Sequence, residues 1–181
     1  MTRTSMSRAP RVRSVLVATL VVGAGVAAAG PAAGAATGAP AQCSTAGLSA
    51  QLKPGSPGAG QRYATIVLTN TSGSTCTMGG YGGMALLGGP GQGVPTDLRR
   101  VASPAPGTVT LAPGGSARSL LHWSVVPGTG EAGTACEPTA TTVVVTPPNQ
   151  TTAALRPWTF GVVCSHGLIE QNAYVAGSAA F

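Results

Sequence analysis

Charge is what this chain has least of. Asp, Glu, Lys and Arg together make up 8% of 181 residues, against about a quarter in ordinary soluble proteins. Four side chains are acidic (Asp97, Glu131, Glu137 and Glu170), two are histidine (His122 and His166), and Lys53 is the sole lysine. So few cations exclude a nucleic-acid surface, which needs them clustered on one face; Arg99 and Arg100 alone make no patch. The shortage of carboxylates and histidines leaves little for acid–base or nucleophilic catalysis. Ser116 sits in Gly114-Gly115-Ser116-Ala117-Arg118, which departs from the G-x-S-x-G elbow of hydrolases. Convincing helical periodicity is absent beyond the first 40 residues or so. The surface must therefore be made of Thr, Ser, Gly, Gln and Asn.

The basic residues that are present lie largely at the start. Arg3, Arg8, Arg11 and Arg13 precede an uncharged run from Val15 to Ala29, and small residues follow with A-x-A-like cleavage points after Ala35 or Ala36. Those three parts make a signal peptide over residues 1–35, a short linker over 36–42 and a single domain over 43–181. The apolar run falls short of the roughly 20 strongly apolar residues of a spanning helix, so no stable membrane anchor is expected after cleavage. Pro40-Ala41-Gln42 before Cys43 is not the aliphatic and small pattern of a lipid-modified cysteine. The isoelectric point near 9.8 is thus set mostly by the leader. One lysine among ten basic residues, with heavy Ala, Gly, Pro, Thr and Val use, is the bias of a high-GC genome such as an actinobacterial one.

Four cysteines, Cys43, Cys76, Cys136 and Cys164, all follow that leader, and an even count in an exported chain points to two disulfides. Three pairings are open. Joining neighbours, Cys43 with Cys76 and Cys136 with Cys164, closes the shortest loops and is favoured, although loop entropy separates the alternatives weakly and topology decides. A soft-metal site, for copper(I), at Cys76-Thr77-Met78 with Met84 and a histidine is the competing chemistry; oxidising surroundings favour the disulfide, and no cofactor or metal is expected.

Turn residues divide the rest into strand-length pieces. Residues 62–69 are rich in β-formers and end at Asn70-Thr71-Ser72-Gly73; Met84 to Leu87 is a short apolar run; Thr108 to Leu111 leads into Pro113-Gly114-Gly115. From Ala117 the chain alternates, which turns Ala117, Ser119, Leu121, Trp123 and Val125 inward and His122 outward. Further strands are expected at Ala140 to Thr146, Trp158 to Cys164 and Leu168 to Val175, with His166 exposed in a turn before the last. The spacing predicts an all-β domain of two packed antiparallel sheets.

The order of Cys43, Gly58-Ala59-Gly60, Leu68-Thr69-Asn70-Thr71-Ser72, Cys76, Gly80-Tyr81, Leu111 to Ala117, Trp123, Cys136, Val145-Thr146-Pro147-Pro148 and Cys164 resembles a family of secreted actinobacterial proteins catalogued as a domain of unknown function, number 4232. The likeness spans about residues 43–176 and departs at Gly82, where that pattern carries proline. It implies an immunoglobulin-like β-sandwich of the cell envelope or medium, and no activity.

Gly80 to Ala85 matches G-x-G-x-x-A, yet no helix follows to aim its N-terminus at phosphate, so the segment is a loop that presents Tyr81. Tyr81 is the candidate contact residue, the alternative being that it packs over the base of the loop. The four carboxylates are scattered, and spacing gives no reason to pair any two. The expectation is a secreted, non-catalytic binding or structural module of the cell envelope, its partner a cell-wall glycan or another exported protein. The alternative is a secreted inhibitor of a protease or other hydrolase.

Overall fold

A computed structural model describes residues 38–131 and 136–180. The expected signal peptide over 1–35 and its expected cleavage point lie outside the described residues. Twelve strands carry the fold: β1 (Leu48–Pro54), β2 (Gln61–Asn70), β3 (Cys76–Gly79), β4 (Gly83–Leu87), β5 (Gly93–Val94), β6 (Asp97–Val101), β7 (Thr108–Leu111), β8 (Ser116–Ser124), β9 (Thr142–Thr146), β10 (Ala154–Pro157), β11 (Leu168–Asn172) and β12 (Val175–Ala176). One sheet runs in the order β1-β2-β8-β11-β6, with β12 also on β8; a second runs β10-β9-β4-β5; β3 and β7 form a ribbon of their own. The domain is all-β and sandwich-like, as expected.

Alternation decides which faces meet. In β8 every second residue from Ala117 to Trp123 is buried, and His122 lies on the opposite face. β2 is buried over a continuous run from Ala64 to Leu68, as befits a strand between two neighbours with both faces partly covered. Val143 and Val145 of β9 and Leu86 of β4 supply the opposing sheet's side of the core. Trp123, Trp158 and Phe160 close one end, with ring centroids 5.0 to 6.0 Å apart in tilted and edge-on contacts.

Asn70, the last residue of β2, shows how the sequence fixes a turn. It is buried, its amide nitrogen donates to the carbonyl oxygens of Ser74 and Leu111, and its carboxamide oxygen accepts from the Ser72 N–H and hydroxyl. Every polar atom of the side chain is thereby satisfied inside the fold.

Three expectations are corrected. Residues 158–164 are not a strand. The Trp158 N–H donates to Thr141 beside the second sheet, whereas the Cys164 N–H donates to Ser124 of the first. The segment crosses between sheets, turning at Gly161 with φ +79°, and so cannot follow either ladder. The sheets are not purely antiparallel either, since β6 runs parallel to β11 from Asp97 beside Leu168 to Val101 beside Asn172. Finally, the end of the expected linker is tied down: Gln42 bridges to Thr77 in parallel, and the Cys43 N–H donates to the Thr77 carbonyl at 2.8 Å.

Candidate functional site

Cys43 is bonded to Cys76 and Cys136 to Cys164, the sequential pairing. No free thiol remains, and two disulfides fit an oxidising, extracellular compartment. Cys76 opens β3 and Met78 is buried beside it in the core, so neither presents a ligand atom outward.

The loop after β3 is built by glycine. A Cβ on Gly79 would overlap the carbonyl oxygen of Gly107 across the β3–β7 pair, and one on Gly82 would lie 2.6 Å from the Thr146 carbonyl oxygen. Gly82 therefore has no room for a side chain. Tyr81 lies between them, half-buried. Its hydroxyl donates to the Val101 carbonyl at 2.7 Å, and the Arg100 guanidinium sits 5.3 Å from its ring centroid. Tyr81, the candidate contact residue, anchors the loop to the end of β6 by its hydroxyl.

Beside this loop lies a groove of about 340 Å³, lined among others by Gln42, Thr77, Gly80, Gly107, Thr108 and Asn149. It is at the lower end of the size range of small-ligand sites. None of its lining residues is charged: it offers hydroxyls, carboxamides and backbone, and the glycines let backbone reach the surface. Asn149 takes a left-handed φ of 57° in the turn after β9, a conformation that Asn tolerates well.

The opposite face of the first sheet holds a second constellation. Register places Tyr63, His122 and Glu170 side by side on β2, β8 and β11. His122 Nδ1 is 2.8 Å from Glu170 Oε2 and Nε2 is 2.7 Å from Gln61 Oε1, while the ring stacks on Tyr63 at 4.7 Å between centroids. A recess of about 150 Å³ opens there, lined by Gln61, His122 and Glu170 with Trp123, Ser124, Ser165 and Leu168. His122 does point outward, yet held at both ring nitrogens rather than free.

Folding brings two of the four carboxylates, Glu131 and Glu137, together and leaves the other two in separate pairs. Asp97 pairs with Arg99 at 3.0 Å and Glu170 with His122. Ligand atoms of Glu131, Glu137 and His166 lie within 4.8 Å of one another. Glu131 accepts from the backbone N–H of His166 at 2.9 Å and from that of Gly128, and these bonds hold its carboxyl below the usual carboxylate range. Spacing along the chain gave no hint of this meeting. The one signal was the cysteine pairing, because Glu137 follows Cys136 and His166 is two residues beyond Cys164.

Comparison with known proteins adds one finding. No curated protein and no solved structure matches the chain significantly. Residues 43–174 match the profile described as "Domain of unknown function (DUF4232)", and the span includes all four cysteines, the Tyr81 loop and every lining residue of the groove except Gln42. The chain belongs to the DUF4232 family.

Proposed function

We propose that the protein is a secreted, non-catalytic binding module of the cell envelope, exported by the leader over residues 1–35, and that its ligand is a cell-wall glycan. The observation that carries this reading is the uncharged groove beside the Tyr81 loop. Sugars present hydroxyls and apolar ring faces, and a groove made of Thr, Asn, Gln and exposed backbone answers them with donors and acceptors and no net charge. Glycine at 79, 80 and 107 lets a ligand approach the backbone itself. Such contacts depend little on ionic strength, which suits a chain with so few charges. Tyr81 positions the groove's glycine wall by tying it to Val101.

Retention of the protein on purified cell wall tests the reading. Binding is expected, weakened by Tyr81→Ala and by Gly107→Leu, whose Cβ enters open space at the groove. Retention that neither substitution alters would contradict the groove as the binding surface. Stoichiometric loss of a hydrolase's activity without retention would favour the inhibitor reading instead.

A further inference from the structure

We infer that Glu131, Glu137 and His166 form a site for a divalent transition-metal ion, with zinc the natural probe. Two of the four acidic residues in the whole chain and one of its two histidines meet at this point. The two carboxylates have no cation facing them among the described residues. Arg99 is engaged by Asp97, Arg100 lies against the Tyr81 ring, and Lys53, Arg62, Arg118 and Arg156 donate to the backbone carbonyls of Ser178, Gln61, Ala179 and Ala50. Glu131 is held ionised by the backbone N–H groups of His166 and Gly128, and a divalent ion would draw the Glu137 carboxylate and the His166 imidazole to it.

The ligand set selects the ion. One imidazole nitrogen with two carboxylate oxygens suits Zn²⁺, which binds such groups at about 2.0 to 2.2 Å and leaves room for solvent or a partner's oxygen in a fourth position. Calcium asks for six to eight oxygens, more than these side chains supply. Tetrahedral bonds of that length put ligand atoms roughly 3.3 Å apart, so ligand atoms that lie within 4.8 Å of one another must draw in by up to about 1.5 Å on binding. His166 is exposed, and its Nε2 lies over Gly130, the neighbour of Glu131, so its ring is already on the right side of the turn. The backbone bonds to Glu131 hold that carboxylate, and the Cys136–Cys164 bridge holds the two segments that carry the other ligands. This is a site prepared before the ion arrives.

Isothermal titration of the untagged, oxidised protein with zinc chloride tests this. One zinc per chain is expected, with affinity reduced at least tenfold by Glu137→Gln and by His166→Asn; Asn keeps the left-handed backbone at 166. Both substitutions leave the His166 N–H that Glu131 accepts. Circular dichroism of each variant checks the fold, and zinc is expected to move the His166 ring resonances ahead of those of His122. Calcium chloride is expected to bind at least a hundredfold more weakly. No heat at millimolar zinc, affinity unchanged in both folded variants, or calcium bound as tightly as zinc would each overturn the assignment.

Discussion

Removing the Cys43–Cys76 bridge by Cys43→Ala/Cys76→Ala should cost a large share of the stability of a domain of this size. The bond joins residues 33 positions apart, and the loop-closure relation for a ring of that size gives about 4 kcal/mol at 25 °C from the freedom restored to the unfolded chain. Total stability of such domains is about 5 to 15 kcal/mol, so the loss is a large share of it. Both sulfurs also pack in the core, where alanine leaves part of the space empty and adds to the cost. The companion Cys136→Ala/Cys164→Ala variant releases 28 positions, and because the dependence on length is logarithmic its entropic loss should match to within about 0.3 kcal/mol. Urea unfolding followed by tryptophan fluorescence measures both. The midpoint should fall and the slope m should rise, since an uncrosslinked unfolded chain exposes more surface. A loss below about 1 kcal/mol with unchanged m would refute the reasoning that these bridges act through the unfolded state.

Two further outcomes follow from the packing. Gly79→Ala should destabilise by about 1 to 3 kcal/mol, because its Cβ would press on the Gly107 carbonyl across the β3–β7 pair, whereas Gly107→Ala, with open space at its Cβ, should stay within about 0.5 kcal/mol; urea midpoints of the two compared directly check this. Tyr174 is fully buried, and burial pushes its phenol far above the ordinary tyrosine value. The folded state therefore keeps the proton that the unfolded state gives up near pH 10, so stability is intact below that pH and falls as pH rises above it. Spectrophotometric titration should show one of the three tyrosines ionising only as the protein unfolds, and ionisation of all three in the native state would contradict its placement.

Much of this fold was legible because alternation and turn chemistry are local. β8 reads correctly from Ala117 to Trp123, and Asn70 and the Pro113-Gly114-Gly115 segment mark real reversals. β1 escaped although Leu48, Ala50 and Leu52 carry its period of two, because Ser, Gln and Lys between them read as surface loop. β6 escaped for a different reason. Asp-Leu-Arg-Arg-Val at the edge of a sheet needs only one neighbour and can stay polar, so burial leaves no stripe in its sequence. Trp158 to Cys164 has strand composition, yet its partners lie on two different sheets, which no local pattern encodes. The groove and the Glu131, Glu137 and His166 cluster are products of long-range closure, visible only once the disulfide partners and the β3–β7 register are known.

The central claim is that the uncharged groove beside Tyr81 receives a wall glycan. Amide chemical-shift mapping with soluble cell-wall fragments addresses it most directly. The account predicts saturable shifts confined to Thr77, Gly79, Gly80, Gly107, Thr108 and Asn149 and their neighbours, lost in Gly107→Leu. Saturable shifts centred elsewhere, or none with fragments that the intact wall shows to be bound, would contradict it.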